Sequence, residues 1–203
     1  MMHFSAPRDS ISINIPSRSG ASLTTSAGAL LVKPVADHHQ RRAASLLVRR
    51  MYAWRGYLTD TIADHLDDPN RVALAAWQDD DLIATLALGR DSHHGLLSEA
   101  LYAREVESLR GQGRTICEFS RFAVDPEFSS RHLLLTLFAA AHHYAHAIFA
   151  ATDALIEVNP RHARFYEREF GFQQIGELRL CPRVDAPAVL MHRDLGLPIS
   201  ALT

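Results

Sequence analysis

Apolar positions change their period along this chain, and the changes mark its elements. The run Leu30-Leu31-Val32, closed by Pro34, predicts a first strand. Asp37 stands as an N-cap before His38 to Arg55, where Ala44, Leu47, Val48 and Met51 recur at helical spacing. Gly56 breaks that helix. Tyr57 to Leu66 predicts a second short one, ended by the turn cluster Asp67-Asp68-Pro69-Asn70. A hairpin follows, with strands Val72 to Gln78 and Leu82 to Arg90 joined through Asp79-Asp80-Asp81. Its near-continuous apolar content suits strands covered on both faces.

A helix is expected from Ser98 to Arg110, and the strongest strand from Ile116 to Val124, ended by Asp125-Pro126. Ser129 or Ser130 caps a long helix whose stripe is Leu134, Leu137, Phe138, Ala141, Ala145 and Ile148. Ala154 to Val158 predicts a strand. Arg161 to Phe170 predicts a helix stopped by Gly171, and strands Gln173 to Leu180 and Ala188 to Arg193 close the chain. The order implies an α+β domain around one mixed sheet flanked by helices, spanning residues 29–203. Residues 1–28, rich in Ser, Thr, Pro and Gly, read as a disordered or loosely attached tail.

Composition narrows the partners. At 47% apolar residues and a formal net charge of -2, the chain is globular, with no basic excess for wholesale nucleic-acid binding. No apolar run reaches the roughly 18 residues of a membrane helix, and the N-terminus lacks the apolar core of a secretory signal. Cys117 and Cys181 make neither a disulfide framework nor a metal knuckle, and read as reduced thiols of a cytoplasmic protein. Of the twelve histidines, His142 and His146 lie one helical turn apart, but His143 stands where a metal-site carboxylate belongs. No metal is expected.

Two segments carry a family resemblance. One is Glu118-Phe119-Ser120-Arg121-Phe122-Ala123-Val124-Asp125-Pro126; the other runs from Val158-Asn159-Pro160-Arg161-His162 through Phe165-Tyr166 to Gly171-Phe172. Together they resemble the central strand–helix and later strand–helix of the GNAT acyltransferase fold. The Glu-Phe-Ser-Arg-Phe run is similar to the matching strand of acyl-homoserine-lactone synthases. With Val-Asn-Pro-Arg-His, and with Arg50 to Tyr57 in the first helix, it resembles the N-acyl amino acid synthases of the long-chain N-acyl-tyrosine type. The likeness covers roughly residues 30–193. It implies an enzyme that moves a long-chain acyl group from an acyl carrier protein thioester to an amino acid's amine, with no tightly bound cofactor.

Ordinary GNAT enzymes hold the CoA pyrophosphate on a glycine-rich loop before the long helix. Here that place reads Glu127-Phe128-Ser129-Ser130-Arg131-His132-Leu133, without glycine. Ser129, Ser130, Arg131 and His132 suit the single phosphate of a carrier protein's phosphopantetheine, and Asn159 suits either its amides or a turn before Pro160. Two other readings stay open. One is an acetyl-CoA-dependent N-acetyltransferase of a small amine, marked by saturable CoA binding. The other is a non-catalytic acyl-ligand-binding module, marked by binding without thiol release.

Amide formation from a thioester needs a neutral amine, a stabilised oxyanion and a departing thiolate. Glu118, a charge inside an apolar strand, is the candidate proton acceptor, oriented by Arg121; the alternative is a purely structural pair. The two face one side only if a β-bulge lies between them. Such a bulge would offer backbone N–H groups near Phe122 and Val124 to the pantetheine arm and the oxyanion. The family motif makes Tyr166 a candidate acid for the thiolate, with packing as the alternative. Tyr52, Arg55 and Tyr57, at the end of the first helix, are candidates to hold the substrate carboxylate and cover the thioester.

Overall fold

The computed structural model describes residues 29–59, 68–197 and 199. The expected N-terminal tail, Asp60–Leu66 of the expected second helix and Asp67 of the turn cluster lie outside them. Tyr57 to Thr59 are described and are not helical.

The chain runs β1 (Leu31–Pro34), α1 (His38–Trp54), β2 (Arg71–Gln78), β3 (Asp81–Arg90), α2 (Glu99–Gly111), β4 (Ile116–Val124), α3 (Arg131–His143), β5 (Asp153–Val158), α4 (Pro160–Phe170), β6 (Gln173–Gln174), β7 (Arg179–Cys181) and β8 (Ala186–Asp194). The sheet order is β1-β2-β3-β4-β5-β8-β6, with β7 also on β8. Neighbours are antiparallel except β4 and β5, which run parallel at the centre.

Alternation along β4 divides the core. Cys117 and Phe119 join α3 and α4, where Phe138 stacks on Phe170 at 4.0 Å between ring centres. Ile116 joins Tyr102 and Val106 of α2, and Ala123 joins Leu47, Val48 and Met51 of α1. Local signals set most ends. The Asp37 side chain accepts the Gln40 N–H at 2.8 Å, and Gly171 closes α4 with φ 72°. Among the described residues, no helix is long and apolar enough to cross a membrane.

Four expectations need correction. Asp79 and Asp80 alone make the hairpin turn, at φ 49° and 70°, the signs of a two-residue I′ turn, while Asp81 opens β3. The long helix changes character after His143. Tyr144–Ile148 widen into a π turn, with the Phe149 N–H donating to the Tyr144 carbonyl. The extra residue turns Phe149 inward and leaves Ile148, expected in the stripe, exposed. A short 3-10 turn, Pro126–Phe128, precedes α3. The expected strand Gln173–Leu180 is split, because at Gly176 the backbone lies against Leu190 and Tyr102. A Cβ there would sit 2.6 Å and 2.7 Å from them.

Candidate active site

β4 and β5 pair only from Ile116–Asp153 to Phe119–Ile156, and beyond that register the ladder ends. The cause is a bulge in β4. Ser120 pairs with Ala87 and Ala123 with Thr85, so Arg121 and Phe122 together stand opposite Leu86. The inserted residue is Arg121 itself, at φ 51°, rather than a residue between Glu118 and Arg121 as anticipated. A non-glycine residue costs about 1 kcal/mol or more in this conformation, and a bulge bends and twists its strand. It also reverses side-chain parity: Phe119 faces the α3–α4 core before it, Phe122 and Val124 after it.

Two cavities open where the strands part. One, of about 330 Å³, lies between the ends of β4 and β5, walled by Phe122, Val124, Phe165 and Tyr166, with Ser129 at its α3 end. The other, of about 180 Å³, is walled by Glu118, Glu157, Cys181 and Arg183. They share Tyr52, Tyr57, Ser120, Arg121 and the strand end Glu157-Val158-Asn159. A third, of about 140 Å³, lies under α1 against Val72, Ala87 and Leu88, and reaches the same bulge through Ser120 and Arg121.

Glu118 is 2% exposed, and both of its oxygens are engaged. Oε1 accepts the Ser98 N–H at 2.7 Å and Oε2 the Leu97 N–H at 2.8 Å, tying β4 to the start of α2. Arg121 shares the cavity wall with it. The Tyr52 hydroxyl is pushed up to about 12 by burial, against the opposing charges of Arg121, Arg55 and Arg183. The Tyr57 ring meets the Tyr52 ring edge-on at 5.8 Å, and its hydroxyl accepts from Arg161 at 3.1 Å. Arg55 lines the larger cleft and lies over the Trp54 ring. Burial also raises the Tyr166 phenol, whose ring packs among Phe138, Phe165, Phe170 and Phe172.

The expected phosphate group does not assemble as one set. Ser129 lines the larger cleft, but Ser130 caps α3, accepting the Leu133 N–H at 3.2 Å. Arg131 turns to Glu169 of α4 at 3.0 Å, and His132 is exposed in the first turn of α3. Asn159 caps α4 through the Arg161 N–H and still lines both cavities. Among the described residues, no three His, Cys, Asp or Glu side chains gather as a metal site.

Comparisons with known proteins identify the family. The sequence profile of the N-acyl amino acid synthase FeeM matches residues 43–194. The chain belongs to the FeeM family of N-acyl amino acid synthases. The solved structure of FeeM, from uncultured soil microbes, is 27% identical, with a TM-score of 0.78 over 83% of this chain and 93% of that one. An acyl-CoA N-acyltransferase from Pseudomonas aeruginosa (18% identity, 82% and 99% covered, TM-score 0.58) shares the fold. So does the AHL synthase LasI (13%, 83% and 91%, TM-score 0.56). No curated protein sequence matches. The fold is therefore GNAT, and the enzyme is an N-acyltransferase.

In this N-acyltransferase, sequence reasoning passed over two groups that face the cleft. Glu157 is a charge inside the apolar strand Ala154–Val158, the same signal that singled out Glu118. Its Oε2 accepts from Arg183 and, at 3.8 Å, from the Cys181 thiol. Its Oε1 is buried without a hydrogen-bond partner among the described residues. Burial pushes its carboxyl up to about 7, against the pull of Arg183. Arg183 also donates to the Leu97 carbonyl at 2.6 Å. The loop residue Leu97 thus links Arg183 and Glu157 to Glu118. Arg183 sits between two C-terminal strands and carries no local signal.

Proposed function

We propose that this enzyme transfers a long-chain acyl group from an acyl carrier protein thioester to the α-amine of an amino acid, giving an N-acyl amino acid. One observation carries the acceptor half: the smaller cavity presents Arg121 and Arg183 beside Glu118 and Glu157. Cations suit a carboxylate and carboxylates suit an ammonium, so the wall has the two signs of a zwitterionic amino acid.

The donor half rests on the larger cleft and on the segment before α3. The thioester lies along Phe122 and Val124 with its phosphopantetheine toward Ser129 and Asn159. The acyl chain extends past the bulge into the cavity under α1, along Val48, Val72 and Leu88. The glycine-free segment Glu127–Leu133 supports a single phosphate over a pyrophosphate. The thioester is itself the activated group, so the reaction needs no resident cofactor. A cytoplasmic setting belongs to the same reading, in keeping with two buried free thiols.

Mass spectrometry of lipid extracts from cells expressing the chain tests the proposal. New N-acylated amino acids are expected, and purified enzyme should release thiol from acyl carrier protein when amino acids are supplied. Unchanged extracts, together with acetylation of simple amines from acetyl-CoA, would establish the CoA-dependent reading instead.

A further inference from the structure

Glu118 is poorly placed to take a proton. Each of its oxygens accepts a backbone N–H that ties it to the Leu97–Ser98 loop, and with the side chain only 2% exposed little of it is open to a bound amine. The other carboxylate at the junction differs in the way that matters. Glu157 lines both cavities, is fixed on one oxygen by Arg183 and Cys181, and holds the second oxygen buried and without a donor. An unpaired buried oxygen is costly, and an incoming N–H relieves it.

We propose that Glu157 is the catalytic residue that accepts the amine proton, while Glu118 positions Leu97 and Ser98 at the cavity wall. This rests on the N-acyltransferase reading above and adds the identity of the base. The bound ammonium gives one proton to Glu157 Oε1. The neutral nitrogen then forms the C–N bond at the thioester carbonyl carbon, and the C–S bond breaks. The nitrogen loses its second proton and the departing sulfur gains one, through the Tyr166 hydroxyl as relay, leaving amide and thiol. Glu157 returns its proton to solvent.

The groups facing Glu157 are Arg183 from the β7–β8 turn, Cys181 of β7, Glu118 of β4 and Tyr102 of α2, with Arg121 and Tyr52 on the shared wall. Burial and Glu118 lift the carboxyl and Arg183 lowers it, and the balance stands near 7. Only the ionised form accepts a proton, so kcat should rise with pH through about 7.

The test measures thiol release across pH 5.5 to 9 for wild-type enzyme, Glu157→Gln and Arg183→Gln. Donors are acyl carrier protein and acyl-CoA thioesters; acceptors are amino acids and simple amines. Glu157→Gln should lower kcat about 10²-fold or more and remove the limb near 7. Arg183→Gln removes the opposing cation, so the limb should move to higher pH. Thermal melts check that both variants fold, and if Glu157→Gln does not, the Arg183→Gln shift decides. Near-normal kcat with an unchanged profile in Glu157→Gln, or an unmoved limb in folded Arg183→Gln, overturns the proposal. If only simple amines and acyl-CoA turn over, the amino acid synthase reading falls, while Glu157 is still tested on those substrates.

Discussion

Glu118 Oε1 accepts the Ser98 backbone N–H at 2.7 Å, so the carboxylate of the central strand caps the approach to α2. This bond, and its neighbour to Leu97, turn the simplest sequence expectation around. From sequence, Glu118→Gln removes a base and leaves the fold intact. In the structure, glutamine puts an NH2 group against one of two N–H donors. A lost charge-assisted bond of this kind costs about 1.5–3 kcal/mol. Glu118→Gln should lower the melting temperature by roughly 3–12 °C, at about 2–4 °C per kcal/mol for a chain of this size. Calorimetry checks this, and an unchanged melt would return Glu118 to the role of free base.

Tyr166 keeps its proton at every pH of interest, because burial raises the phenol. It can therefore donate to a departing thiolate from the wall of the larger cleft. Tyr166→Phe keeps the ring among its aromatic neighbours and should lower kcat by about 10²-fold with little change in KM. The loss should be smaller with a thioester whose thiol is more acidic. Equal loss for both leaving groups would make Tyr166 a packing residue.

Arg131 is 65% exposed beyond its contact with Glu169, so it is available to an acidic carrier. Arg131→Glu should raise KM for acyl carrier protein by about fivefold, the scale of one partly screened charge contact. Added salt should erase the difference. KM for an acyl-CoA should move less. Equal effects on both donors would place the carrier elsewhere.

Asp153 anchors the far end of the β4–β5 ladder. Burial favours its neutral form, but hydrogen bonds from Arg114 at 2.5 Å, Thr152 at 2.5 Å and His192 at 2.6 Å win, and its pKa is lowered. A depressed carboxyl stabilises the fold fully above its unfolded value, near 4, and loses that contribution as pH falls through the folded one. Asp153→Asn should cost about 3 kcal/mol at pH 7, the low end for a buried pair because Arg114 retains access to water. The gap to wild type should narrow below pH 4. Urea denaturation at the two pH values checks it, and a pH-independent gap would contradict the linkage.

The sequence by itself determined most of the element order, most helix ends and the family. These depend on short-range chemistry: apolar period, Asp37 and Ser130 as caps, Gly171 as a left-handed stop, and the two motif segments. A charge in an apolar strand identified Glu118, and the same criterion would have identified Glu157. Tertiary structure alone decided which carboxylate holds a loop and which lines the cleft while keeping one oxygen buried and unpaired. That depends on Leu97 and Ser98, some twenty residues before Glu118, and on Arg183, twenty-six after Glu157. It decided, too, that the inserted bulge residue is Arg121. An extra residue in one strand exists only relative to its partner's register, and β3 supplies that register from thirty-five positions upstream. Local pattern fixes what each segment prefers to be; the orientation of a side chain at a site is set by what the rest of the chain brings against it.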